Sequence, residues 1–185
     1  MGGIIKLILL HKTSCELDPL RLQDGDPDEP SEKVTSPESL KNVTEKHTKS
    51  LTEFVTLLLD NIFKNVESLP ASLKVMFGTI QTSVRRKFPD DEVASYTGVS
   101  GFLFLRFFVP AILGPKLFGL NVGPIGPKSS RLLTLISKVI QNLANLVEFG
   151  QKELFMAPMN TLIKSKLGDM RLYLNAISVS IIFNC

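Results

Sequence analysis

A single arginine stands inside the most apolar stretch of this chain. Between Phe102 and Leu113 the sequence reads Phe-Leu-Phe-Leu-Arg-Phe-Phe-Val-Pro-Ala-Ile-Leu, so only Arg106 and Pro110 interrupt the greasy side chains. A guanidinium stays charged in any protein environment and carries five donors in a planar fork. A helix that is apolar on all sides belongs inside a domain, so Arg106 is expected to be buried and therefore paired. Two uses stay open at this point: an ion pair with a buried carboxylate, or a clamp on the carbonyls of a neighbouring loop beside an active surface. Pro110 has no N–H and removes the hydrogen bond to the carbonyl of Arg106 four residues back. A charge, a free carbonyl and a bend are thus expected at one place.

A second set of polar side chains, Lys138, Gln141 and Asn145, is spaced by three and four residues and shares one helix face. Such a stripe could line a binding groove, or be a solvated face opposite Leu135, Val139 and Leu143. The remaining candidates for chemistry are thin. His11 and Cys15 sit four apart, a spacing that by itself does not make a nucleophile and its base. The chain has 2 histidines and 2 cysteines, Cys15 and Cys185, so no zinc or other metal site, no cofactor and no disulfide framework is expected. A reducing, cytoplasmic setting is the natural one for such cysteine usage.

Bulk properties narrow the class. The 185 residues suffice for one domain with a real core, and 44% hydrophobic with 21% charged residues is ordinary globular composition. The net charge of +3 comes from scattered basic residues, with no Trp and 2 Tyr to stack on bases, so nucleic acid is not an expected partner. The opening Met-Gly-Gly-Ile-Ile-Lys-Leu-Ile-Leu-Leu-His-Lys imitates a signal peptide, but Lys6 interrupts it and no basic region precedes it. It reads as the tail of a helix, with a weak membrane-targeting role as the alternative. The Phe102–Leu113 run falls short of the about 20 residues that span a bilayer, and it holds an arginine and a proline.

These groups need helices to position them. Asp18–Ser39 is rich in Asp, Glu, Pro and Gly and reads as a long solvated loop. It contains Thr35-Ser36-Pro37, a phosphorylation-like triplet, and is followed by Asn42-Val43-Thr44, which matches the glycosylation pattern. Leu51, Phe54, Val55, Leu58, Ile62 and Phe63 then recur at helical steps, and Pro70 opens a second helix that ends in Arg85-Arg86-Lys87. That trio suits the negative end of a helix dipole, with a partner-binding patch as the alternative. Acids in Pro-Asp-Asp-Glu-Val start the helix that carries Arg106, and Gly114-Pro115 break it. Another helix runs from Lys128 to Phe149, and two shorter ones are expected around Phe155–Lys164 and Met170–Ile182. Apart from the ambiguous Ile-Ser-Val-Ser-Ile-Ile-Phe near the end, no segment alternates as a strand does. The fold class is all-α.

The stretch Phe102–Ile112 closely resembles the signature of Ras GTPase-activating protein domains, whose core reads Phe-Leu-Arg, three residues, Pro-Ala. Here these are Phe104, Leu105, Arg106, Pro110 and Ala111. Ser14–Pro19, Ser-Cys-Glu-Leu-Asp-Pro, resembles the segment that follows the family's catalytic loop. Ser130–Asn160 resembles the helix that follows the signature in vertebrate and fungal members, and in neurofibromin more loosely. The resemblance spans roughly Ser14 to Lys166, which sets the expected organisation. Residues 1–13 are an apolar helix remnant, 14–166 an incomplete domain core with the acidic loop 18–39 inside it, and 167–185 a divergent end.

The resemblance implies a multi-helix domain with a groove that receives a Ras-type small GTPase in its GTP-bound state. GTP hydrolysis is slow because charge builds on the transferring phosphoryl group, and an arginine finger inserted in trans is worth on the order of 10³–10⁵ in rate. The family's Phe-Leu-Arg arginine is not that finger but braces the finger loop through backbone carbonyls, which is the role implied for Arg106. Leu105, Lys138, Gln141 and Asn145 are implied to line the groove, and Phe104, Pro110 and Ala111 to be structural. Membrane contact is implied only indirectly, through a lipidated GTPase at the inner face of the plasma membrane.

The sequence also departs from the family. The finger lies upstream of the segment that Ser14–Pro19 resembles, yet the arginines here are Arg21, Arg85, Arg86, Arg106, Arg131 and Arg171, all downstream. Gly114 stands where relatives commonly have Asn or Ser. The expectation is a regulator of GTPases with no turnover of its own, as a fragment lacking the finger. Its missing helices would expose apolar surface and lower its solubility. The alternatives are a finger-less scaffold that holds the GTPase without accelerating it, and a helical fragment with no GTPase partner, tethered by its apolar start.

Overall fold

A computed structural model describes residues 1–11, 14–24 and 36–179. Among the described residues every regular element is helical: α1 (Gly2–Leu10), α2 (Pro19–Asp24), α3 (Pro37–Lys64), α4 (Ala71–Lys87), α5 (Glu92–Leu103), α6 (Val109–Leu113), α7 (Pro127–Ala144) and α8 (Asn160–Ala176). Short 3₁₀ segments at Val66–Ser68, Pro115–Phe118 and Gln151–Met159 connect them, and a π-helical stretch, Phe104–Phe108, joins α5 to α6.

Local chemistry accounts for the boundaries. The hydroxyl of Ser36 accepts from the Ser39 N–H and Pro37 fills the first position of α3, so two of its orphan ends are settled. Asp91 does the same for α5, accepting from the Ala94 N–H. Three basic residues close α4. The glycosylation-like triplet lies inside α3, where the Thr44 hydroxyl donates back to the Leu40 carbonyl.

Helix α7 is the hub, packing on α3, α5, α6 and α8. Its buried side includes Leu132, Leu135, Ile136, Val139, Ile140 and Leu143, against Leu51, Leu58 and Leu59 of α3 and Ile163 of α8 within one core. Helix α1 joins this core through Ile5 and Ile8, both fully buried.

Several expectations change, and α7 ends at Ala144, short of the expected Phe149. The segment read as an acidic loop over 18–39 begins with helix α2 and ends in the first turn of α3, and Thr35 lies outside the described residues. The two short C-terminal helices are a 3₁₀ segment and one 17-residue helix, α8. Its buried Leu162, Ile163, Met170, Tyr173 and Leu174 keep helical spacing across Gly168. Of the ambiguous final stretch, Val179 donates its N–H to the Lys74 carbonyl and the last six residues lie outside the described ones. Finally, Glu92–Leu113 is one helical run of 22 residues, long and apolar enough by length and composition to cross a membrane. Counting from Phe102 missed this because the run starts at Glu92. In the bundle its Tyr96, Val99, Leu103, Phe104, Val109 and Ile112 are buried among α4, α7 and α8.

Leu59 is fully buried and Leu57, two residues away, is 40% exposed. Leu59→Ala is expected to cost about 2–5 kcal/mol in urea unfolding, and Leu57→Ala well under that. Equal losses would mean that α3 faces the core differently.

Candidate functional site

The apolar requirement of α7 confines its polar groups to one side. Lys138, Gln141 and Asn145 are half-buried there, while Val139, Ile140, Leu143 and Ala144 turn inward. The Lys138 ammonium is ion-paired with the Glu153 carboxylate of the Gln151–Met159 segment. Among the described residues no hydrogen bond uses the side-chain amide of Gln141 or Asn145, so both are open to an outside partner.

The π-helical stretch and α6 pack directly on α7, which brings the Phe-Leu-Arg residues beside this polar stripe. Pro110 shapes the stretch. Since it has no N–H to give, the turn widens and the Val109 N–H reaches the Phe104 carbonyl, five residues back. Phe104 and Ala111 are buried, whereas Leu105 and Pro110 are half-buried.

Arg106 departs from expectation because it is exposed. The run is apolar on its outer side as well: Phe102 is 45% exposed and Phe107 49%. The arginine shares that outer side, and all-round apolarity therefore did not imply all-round burial. Its fork turns back instead: Nη1 donates to the Gly101 carbonyl at 2.8 Å, in the preceding turn of its own helix and not in a neighbouring loop. Among the described residues it makes no ion pair.

The paired charge of the region lies elsewhere. Glu16, in the Ser14–Pro19 segment, meets Arg131 of α7 in a bidentate pair of 2.7 and 2.9 Å. The same carboxylate accepts from the Leu17 and Asp18 N–H groups at 3.0 Å each. Its backbone carbonyl lies 2.8 Å from Nδ1 of buried His47 on α3. One acidic residue thus ties this segment to α3 and α7. Sequence reasoning missed the pair. The available signal was an acid between two apolar residues, Cys15 and Leu17, both buried here. Burial opposes ionisation of Glu16, but the Arg131 guanidinium and the backbone donors outweigh it and hold its carboxyl below the ordinary value. Cys15 is no nucleophile: burial, helped by the charge of Glu53, pushes its thiol up to about 12.

Comparison with known proteins decides what this arrangement belongs to. The family model for GTPase-activator proteins for Ras-like GTPases matches residues 1–145. The chain belongs to this family. It is 41% identical over 179 residues to a probable Ras GTPase-activating-like protein, ngap, of Dictyostelium discoideum, covering 96% of this chain and 19% of that protein. It is 38% identical over 168 residues to human Ras GTPase-activating protein 1, covering 91% of this chain and 14% of that one. Against mouse Ras GTPase-activating protein 3 it is 40% identical over 150 residues, 80% of this chain and 16% of that protein. The chain therefore spans less than a fifth of the length of these relatives.

Within this GTPase-activator family member, the match takes in α1, the Glu16–Arg131 anchor, the π-helical signature and all of α7. The Glu16 pair carries a pH dependence. In the unfolded chain Glu16 takes up its proton near 4.5, and in the folded chain only at lower pH. Its stabilisation is therefore complete above 4.5 and lost as the pH falls through the depressed folded value. Glu16→Gln is expected to lower the urea midpoint at neutral pH, with the gap to the wild type closing well below 4.5. A gap independent of pH would mean that the carboxylate charge plays no part.

Proposed function

We propose that this chain is the GTPase-holding part of an activator of Ras-type small GTPases. It engages the GTP-bound form through a groove lined by Leu105, Lys138, Gln141 and Asn145. The observation that carries the reading is the polar side of α7, packed beside the π-helical signature within the span that the family model matches. Lys138 exchanges its Glu153 carboxylate for an acidic group of the partner, and the two unpaired amides supply hydrogen bonds. The chain acts as a regulator: the reaction belongs to the GTPase, and this chain contributes no turnover of its own. Its place is cytoplasmic, drawn to the inner face of the plasma membrane by the lipid of its partner.

No arginine of these 185 residues precedes the Ser14–Pro19 segment, so this stretch holds the GTPase without itself supplying the finger. In that setting Arg106 acts as a brace. Its exposed fork already binds one backbone carbonyl and has further donors for a neighbouring loop.

The chain mixed with GTP-loaded Ras is expected to bind, measured by pull-down, without raising single-turnover phosphate release on the family's order of 10³–10⁵. Lys138→Ala is expected to weaken binding about tenfold to a hundredfold, the loss of one charge-assisted hydrogen bond. Acceleration on the full scale would overturn the finger assignment. A folded chain that does not bind would overturn the GTPase reading itself.

A further inference from the structure

The C-terminus of α7 ends in a conformation that its own sequence does not favour. Leu146 has φ of 56°, the one positive φ of a non-glycine residue among those described. It sits where helices usually place glycine, because a side chain there crowds the following carbonyl. The turn is otherwise a complete Schellman cap. The Leu146 N–H donates to the Leu143 carbonyl and the Val147 N–H to the Asn142 carbonyl, each at 3.0 Å. Asn145 occupies the cap position, and its N–H goes to the Gln141 carbonyl.

Two side chains from outside α7 hold this strained turn. The fully buried Ser100 of α5 donates its hydroxyl to the Ala144 carbonyl at 2.5 Å, the one carbonyl of the last turn that the cap leaves over. Asn160, at the start of α8, accepts from the Phe149 N–H at 2.8 Å and donates to the Phe149 carbonyl at 3.0 Å. Its amide thus closes the far side of the turn as a paired strand would. Lys164 adds an ion pair with Glu148 at 3.2 Å. A non-glycine left-handed residue persists only where its surroundings over-determine it. Here that bracing acts at the two open amides, since Asn145 is the cap and Gln141 lies one turn before it.

We infer that Ser100 and Asn160 are positioning residues for the GTPase-facing end of α7: by locking the left-handed turn at Leu146 they set the direction of the Asn145 and Gln141 amides. The inference rests on the proposed groove, and neither residue touches the partner itself. The bracing matters because Leu146 would otherwise relax to a negative φ, which rotates the cap residue away from the stripe. With glycine at 146 the turn needs no such help, since glycine adopts positive φ freely.

A double-mutant cycle between Ser100 and Leu146 tests this on the whole chain, reading affinity for GTP-loaded Ras and the side-chain amide NMR signals of Gln141 and Asn145. Ser100→Ala is expected to lower affinity about fivefold and to move both amide signals. In a Leu146→Gly background the same substitution is expected to change affinity less than about twofold. Asn160→Asp, which keeps the acceptor and loses the donor, gives an intermediate loss and serves where Ser100→Ala does not fold. Equal losses in both backgrounds would show that Ser100 merely packs, and amide signals unchanged by Ser100→Ala in the otherwise wild-type chain would overturn the inference. If Lys138→Ala weakens binding while Ser100→Ala does not, the inference falls and the groove stands. If the folded wild type does not bind, the groove reading falls and the amide signals still decide the positioning.

Discussion

Helix α7 can carry polar groups only where the bundle does not need it. It packs on four other helices and buries a broad apolar face. Burial of that kind contributes on the order of 1.5–3 kcal/mol for each large aliphatic side chain. A rotation of α7 that brought Lys138 inward would forfeit several such terms and bury a charge as well. The polar stripe is therefore held in place by the residues on the opposite side of the helix. Every element that shapes the candidate groove, from the signature stretch to the Glu16 segment, is attached to α7 or to a neighbour of it.

The signature stretch shows a second constraint acting locally. A proline inside a helix must be absorbed somewhere, and here the preceding turn widens into a π-helical one instead of breaking. The helical run continues through Leu113, so the apolar residues on both sides of Pro110 still reach the core. Arg106 lies within the widened turn, at the surface, with its fork turned back on its own helix. Its neighbours Phe102 and Phe107 leave apolar surface exposed beside it, which is an unusual setting for a charge and one that suits contact with another segment or molecule.

Much of this was legible in the residues. Helical spacing of Leu51, Phe54, Val55 and Leu58 identified the buried side of α3, and the starts of α4 at Pro70 and of α5 at the acids around Asp91 follow from local chemistry that acts over three or four residues. The shared face of Lys138, Gln141 and Asn145 was equally a matter of period. Illegible were the features that depend on who sits opposite. Burial of Arg106 was inferred from the composition of its own helix, and composition counts apolar residues without saying which of them find a neighbour. The pairing of Glu16 with Arg131 joins residues 115 apart in sequence, and no local pattern marks either as the partner of the other.

The sequence by itself determined that the chain is helical, where α4, α5 and α7 start, which faces of α3 and α7 are apolar, and to which family it belongs. All of these rest on interactions within a few residues or on motifs that read in order along the chain. Only the tertiary structure decided that Arg106 lies outside, that Glu16 anchors its segment through α3 and α7, and that the end of α7 adopts a left-handed turn at a leucine. The reason is physical: an unfavourable backbone conformation, an exposed charge and a bidentate pair are each settled by atoms that arrive from distant parts of the chain.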